Sequence, residues 1–277
     1  MTQIANCVRT FEVIAKVILI LTCLQCLAAA QAVDASKDPD ISAIRNRFQQ
    51  SAGEFAFETS NSGEKLQLLD RPVSNWSNPE RKTPAGALFV WTLNGRPEMV
   101  MSTYPTDAVG NFEHEFQSLS VNELVGTLNG RLIWEPRGDA ILWQQVSDKI
   151  PVGKTPSMRL VQMRRIAGLY TASLKFGDQP NKLLRLQTTP LYRFDIEKLP
   201  HGVLDGAMFA FVQGTDPEVI MLVEARKSAD GEELWFVSFA RMTVVTAQVE
   251  YQSNVVWEVQ WGRTGFNSHY NVFRSAN

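Results

Sequence analysis

The chain writes GALFVWTLNGRPEMVM at Gly86–Met101 and GAMFAFVQGTDPEVIM at Gly206–Met221. Aligned on their first glycines, the two stretches share Gly86/Gly206, Ala87/Ala207, Phe89/Phe209, Pro97/Pro217, Glu98/Glu218 and Met101/Met221, with Leu88/Met208, Trp91/Phe211 and Val100/Ile220 as conservative exchanges. Each apolar run is broken at the same place, by NGRP in the first copy and GTDP in the second. Gly and Asn supply backbone freedom there and Pro fixes its own φ, so each stretch reads as a β-hairpin.

The correspondence continues in order on both sides. Downstream, Phe116/Phe236 and Ser118/Ser238 keep the same offset, and after a short insertion Leu132–Glu135 faces Val255–Glu258. Upstream lie Leu66/Leu184, Leu68/Leu186, Pro72/Pro190 and Trp76/Phe194. Further upstream each copy carries a helical stripe. Asp40 stands as N-cap before Ile41, Ile44, Phe48 and Ala52; Thr155-Pro156 stands as cap and first-turn proline before Leu160, Met163, Ile166, Ala167 and Tyr170, with Arg159, Gln162 and Arg165 turned away.

These spacings predict an α+β fold made of a tandem duplicated unit, each one helix followed by five or six antiparallel strands forming a curved sheet. The units cover 40–136 and 155–261, with 137–154 as linker and 262–277 as a C-terminal tail. In the second unit the strands read Leu183–Thr188, Ala207–Gln213, Glu218–Ala225, Glu233–Met242, Val244–Tyr251 and Val255–Trp261. Connections this short require antiparallel neighbours, because parallel ones need a long crossover.

The N-terminus has its own pattern. Arg9 and Lys16 precede the apolar run Val17–Ala30, and Ala30-Gln31-Ala32 has the small-x-small form of a cleavage site, so residues 1–32 read as a secretory signal peptide. The run is short for a membrane span and is interrupted by Thr22 and Gln25, which predicts no stable membrane anchor after cleavage. The three cysteines, Cys7, Cys23 and Cys26, all lie in that segment, which predicts a cysteine-free mature chain without disulfides or thiolate chemistry. Composition is ordinary for a globular protein, with 44% hydrophobic residues, 20% charged residues and a net charge of −2 over 277 residues. Near-neutrality gives no electrostatic footprint for nucleic acid.

The segments HEFQSL (His114–Leu119), MRLVQMR (Met158–Arg164), LLRLQTTPLYRF (Leu183–Phe194) and DGAMFAFVQGTDPEV (Asp205–Val219) resemble those of a family of exported bacterial proteins without an assigned activity. The resemblance implies export and a shared fold, and it carries over no functional residue.

Several chemical motifs begin in the chain without being completed. Gly153-Lys154-Thr155 ends like a phosphate loop, but Asp148 stands where that loop needs its first glycine. His114-Glu115 begins like a zinc-protease motif, but residue 118 is Ser. No G-x-S-x-G elbow occurs. No metal site and no cofactor are expected. His114, with Leu234 as its counterpart, occupies an apolar-type position and reads as a core histidine bonded to a backbone carbonyl, with general-base chemistry beside Glu115 as the alternative. Glu113 and Glu115 fall on the opposite face, expected to be exposed in the first unit, whereas the second unit's sheet is expected to be covered on both sides, by the first unit or by a ligand. Trp143 and Trp261, near segment ends, are the candidate ligand-stacking residues. The leading expectation is an exported, non-enzymatic binding protein whose partner is a protein or an apolar ligand. The alternatives are a hydrolase using His114, His201 or His269 with a carboxylate, and a structural or assembly protein of the envelope.

Overall fold

The computed structural model describes residues 40–106, 111–146, 150–262 and 265–275. The first unit runs α1 (Ile41–Gly53), β1 (Phe55–Thr59), β2 (Gln67–Leu68), β3 (Ser74–Asn78), β4 (Thr83–Leu93), β5 (Arg96–Pro105), β6 (Phe112–Ser118), β7 (Leu124–Leu128) and β8 (Arg131–Trp134). After β9 (Gln144–Gln145), the second unit repeats the order as α2 (Pro156–Ala167), β10 (Tyr170–Lys175), β11 (Lys182–Leu183), β12 (Arg185–Leu186), β13 (Tyr192–Arg193), β14 (Val203–Gln213), β15 (Asp216–Lys227), β16 (Glu233–Arg241), β17 (Thr246–Tyr251) and β18 (Asn254–Val259). A last strand, β19 (Tyr270–Ser275), follows.

The chain is a tandem duplication of one α+β unit, and strand pairing repeats with the elements. In the first unit β2 and β3 pair with β4, β4 with β5, and β5 with β6; in the second, β12 and β13 pair with β14, β14 with β15, and β15 with β16. The strand after each helix joins a small second sheet, β1-β7-β8 in one copy and β11-β10-β17-β18 in the other. Even the irregularities coincide. The β4–β5 register shifts between Trp91 and Thr92, leaving Glu98 as the extra residue, and the β14–β15 register shifts between Phe211 and Val212, leaving Glu218 as the extra residue. Each bulge follows a proline, Pro97 or Pro217, which has no N–H to offer a regular ladder.

The expected linker and tail both contribute strands, and they cross over. β9, which follows the first unit, pairs with β16 of the second, while β19, which follows the second, pairs with β6 of the first. Each unit's trailing segment therefore closes the open sheet edge of the other copy.

Alternation along the hairpins decides where the apolar side chains go. Phe209, Phe211, Val219, Met221 and Val223 turn inward onto Met163, Ile166 and Ala167 of α2 and onto β10 and β17, forming the second unit's own core. Leu88, Val90 and Val100 from the first hairpin meet Met208, Ala210, Val212, Ile220 and Leu222 from the second in a separate cluster. The two duplicated hairpins thus lie against each other, each the cover of the other's outer face. Their tips dock reciprocally: Asp195 N donates to Gly95 O at 3.0 Å, and Ser77 N donates to Thr215 Oγ1 at 2.8 Å.

Local devices follow the residues. Thr155 caps α2, its Oγ1 accepting from Met158 N at 3.3 Å, with Pro156 in the first turn. Tyr170 begins β10 rather than extending the helix. Arg159 and Gln162 do not turn away to solvent: Arg159 Nε donates to the buried Asp205 Oδ2 at 2.8 Å, and Gln162 Nε2 donates to Pro151 O at 2.6 Å. The expectation that the first unit exposes the Glu113–Glu115 face of its strand is corrected, because every residue of β6 is buried. The covering of the second unit's sheet by the first is as expected.

Two further points concern the N-terminal segment. The predicted signal peptide, residues 1–32, lies outside the described residues. The cysteine-free expectation is corrected by the chain itself, which holds three cysteines; the exclusion of disulfide and thiolate chemistry rested on their removal and falls with it. Among the described residues, no helix is long and apolar enough to cross a membrane.

Gly86 and Gly206 are required by close approach. A Cβ on Gly86 would stand 2.1 Å from Trp76 Cε2, and one on Gly206 would stand 2.3 Å from Phe194 Cε2. Each hairpin lays one aromatic ring of its own unit flat across a glycine of its first strand. Gly86→Ala and Gly206→Ala are each expected to lower unfolding free energy by about 1–3 kcal/mol in urea titrations, the range for forced overpacking. Equal stability of either variant to the parent would contradict this packing.

Candidate functional site

The hairpin seam is apolar in its middle and charged at both ends, and the two ends are built from equivalent positions. At one end Arg96 Nη1 donates to Glu98 Oε1 at 2.8 Å and its Nε to Glu224 Oε1 at 2.7 Å, while Arg226 Nε donates to Glu224 Oε2 at 2.7 Å. Trp143 from the linker lies over both guanidiniums, with Arg226 Cζ 3.9 Å and Arg96 Cζ 5.3 Å from a ring centroid. At the other end stand Asp216 and Glu218, the counterparts of Arg96 and Glu98, with Tyr104 as counterpart of Glu224. There Arg81, from the β3–β4 turn, reaches Glu218 Oε1 at 2.8 Å and Oε2 at 3.0 Å, and Asn78 Nδ2 donates to Asp216 Oδ2 at 3.0 Å.

Both bulge glutamates are buried, and burial raises both carboxyls above the ordinary range, opposed by Arg96 for Glu98 and by Arg81 for Glu218. Asp216 is pushed well up by burial and by the neighbouring Glu218. Burial also opposes the charge on Arg81 and Arg96, but the carboxylates facing them hold both above their usual values. These are charges kept in the interior because each has a partner.

The ends differ in one respect. Arg81 closes the Glu218 end. The residue in register with Arg81 in the second copy is His201, and it does not close the Glu98 end. Instead a cavity of about 480 Å³ lies there, lined by Arg96, Glu98, Glu224 and Arg226, with Val121, Asn122, His201 and Lys227 among its other walls. Arg96 Nη2 and Glu98 Oε2 complete no hydrogen bond of good geometry, although the Ser120 hydroxyl reaches the Glu98 carboxyl, and Glu218 Oε1 under Arg81 likewise relies on the ion pair alone.

The residues singled out in the sequence fall in different places. His114 is fully buried, with Nδ1 2.9 Å from Thr103 Oγ1 and Nε2 2.9 Å from Ser275 Oγ, ringed by Phe55, Phe112, Phe116 and Phe273. It is a core histidine held by two hydroxyls rather than by a backbone carbonyl, and burial depresses it to about 4. Glu115 lies across the strand at the Arg81 end, where it accepts from the Tyr104 hydroxyl at 3.2 Å. Burial, reinforced by Glu218, raises Glu115 to about 7. The fold therefore sends His114 and Glu115 to opposite faces of β6. Trp143 belongs to the cavity end as the platform under its arginines, while Trp261 is exposed and is not among the residues lining that cavity. His269 lines a separate cavity of about 370 Å³ with Arg241 and Trp257, its Nε2 3.2 Å from Gly138 O. No motif marks Arg96, Glu98, Glu224 and Arg226 as a cluster in the sequence; the available signal is the PE pair repeated at the start of both β5 and β15, a carboxylate inside an otherwise apolar strand.

Among the described residues, no group of three or more His, Cys, Asp or Glu could hold a metal ion. Compared with known protein families, curated proteins and solved structures, the chain matches none.

The buried titratable groups set a pH dependence with opposed limbs. His114 ionises near 6.5 when unfolded and near 4 when folded, so its stabilising contribution is complete above 6.5 and is lost as pH falls toward 4. Glu115 ionises near 4.5 when unfolded and near 7 when folded, so its contribution is complete below 4.5 and is lost as pH rises through 7. Each amounts to roughly 3 kcal/mol. Between pH 7 and 4.5, relative to the parent, the His114→Gln variant is expected to gain stability on acidification and the Glu115→Gln variant to lose it. Parallel pH profiles for the two variants in denaturant titrations would refute the assignment.

Proposed function

We propose that the chain is an exported, non-enzymatic binding protein of the bacterial cell envelope, and that the cavity over Glu98 is its binding site. The observation that carries this reading is the unequal treatment of two equivalent ends: the fold closes the Glu218 end with its own Arg81 and leaves a cavity of about 480 Å³ at the other. That volume lies within the range of small-molecule sites. The charged N-terminus, apolar run and Ala30-Gln31-Ala32 support export.

The space between α2 and its sheets, where an apolar ligand would sit, is filled by Met163, Ile166 and Ala167, so the binding reading attaches to the polar cavity. A hydrolase would draw on His201 and Glu98, which share that cavity. Its lining offers no hydroxyl or thiol nucleophile, and Glu224 is already committed to two arginines.

Two measurements test the proposal. N-terminal sequencing of protein from the native compartment should begin at Val33. Mass spectrometry under native conditions should find a small molecule on that protein, and Val121→Trp, a change at an exposed wall of the cavity, should remove it without lowering the thermal midpoint. An uncleaved N-terminus would sink export; a bound molecule retained unchanged in Val121→Trp would sink the site.

A further inference from the structure

The cavity over Glu98 shows what kind of molecule fits it. This step rests on the cavity being the binding site. Its counterpart at the other end of the seam is occupied by a guanidinium of the chain itself, Arg81, which engages both oxygens of Glu218. In the cavity the equivalent glutamate uses Oε1 for Arg96 and is reached by the Ser120 hydroxyl, while its Oε2 and Arg96 Nη2 complete no hydrogen bond of good geometry. A buried acceptor and a buried donor, side by side in one ion pair, ask for a ligand that both donates and accepts. The walls repeat the demand. Glu64, Glu98 and Glu224 face the cavity together with Arg96, Arg226 and Lys227, so neither a bare cation nor a bare anion finds a field of one sign.

We propose that the cavity binds a zwitterion of amino-acid or short-peptide type, with its guanidinium or ammonium group on Glu98 and its carboxylate on the side formed by Arg96, Arg226 and Lys227. The ligand takes the place that Arg81 takes at the closed end. His201, in register with Arg81 and exposed at the cavity wall, is what leaves that place free.

Three probes separate the requirements in isothermal titration of the full protein: L-arginine, agmatine, which lacks the carboxylate, and succinate, which lacks the cation. L-arginine is expected to bind one site per chain, at least tenfold more tightly than either of the others. His201→Arg should abolish that binding by placing a guanidinium on Glu98, and should raise the thermal midpoint as the second end closes. Glu98→Gln should weaken it tenfold or more, and because His201 lies at the surface, His201→Arg remains informative where Glu98→Gln fails to fold. Equal affinity for agmatine or succinate, absence of binding by L-arginine, or L-arginine binding untouched by His201→Arg would each overturn the ligand class. In all three cases a co-purifying molecule that is lost in Val121→Trp leaves the binding site itself standing.

Discussion

Everything in this molecule depends on two hairpins covering each other. A hairpin such as Gly86–Met101 is apolar on both faces, and its own unit can bury only one of them. Phe89, Met99 and Met101 serve the core beneath, while Leu88, Val90 and Val100 would lie in water if the chain stopped after one unit. The second copy supplies Met208, Ala210, Ile220 and Leu222 for that face and needs the same service in return. At roughly 1.5–3 kcal/mol for each large apolar side chain removed from water, this shared layer is not an accessory to folding. The crossing of β9 and β19 has the same logic, since each unit's last sheet edge is finished by the segment that follows the other unit.

Facing hairpins bring their irregularities together as well as their apolar faces. The proline that begins each return strand forces a bulge, and the bulge carries a glutamate. Duplication then buries two glutamates where an isolated unit would leave them at its surface. The copies neutralise them differently. In one, the residue two before the bulge became an arginine that pairs in place, with Glu224 and Arg226 completing the set. In the other that residue is Asp216, which adds negative charge, and the compensation comes from Arg81 at a distance in sequence. A buried carboxylate without such a partner would shift to its neutral form or destabilise the fold.

What could be read from the sequence, and what could not, divides along the same line. Helix stripes, hairpins, the matched positions Gly86/Gly206 and Trp76/Phe194, and the collinear order are local or repeated signals, and repetition made weak signals strong. The strands β9 and β19 have neither advantage: β9 is two residues long, and both pair with a different unit from the one they follow. The Glu113–Glu115 face of β6 misled for a related reason. Alternating acidic residues are the ordinary mark of a solvated face, and this one is made interior by Glu218 of the second copy and Tyr270 of the trailing strand β19, together with the first unit's own Tyr104. Chemistry-bearing residues were sought as motifs, whereas the charged ends of the seam are assembled from Arg81, Arg96, Glu98, Asp216, Glu218, Glu224 and Arg226, which no single window contains.

The asymmetry of the two ends is the point at which a structural duplication becomes able to do something. Two identical copies facing each other would have produced two identical ends, both closed or both open. A closed pair holds the seam and offers nothing to a ligand. An open pair leaves buried polar atoms unsatisfied twice over, each costing about 1–3 kcal/mol. The position shared by Arg81 and His201 separates the two ends: Arg81 covers Glu218 from outside, whereas the Glu98 end keeps its cross-unit ion pair, Arg96 to Glu224, and stays open to a cavity. Arg81 and the apolar layer hold the seam, so on the proposed reading the cavity over Glu98 is free to serve binding at the opposite end of the same two strands.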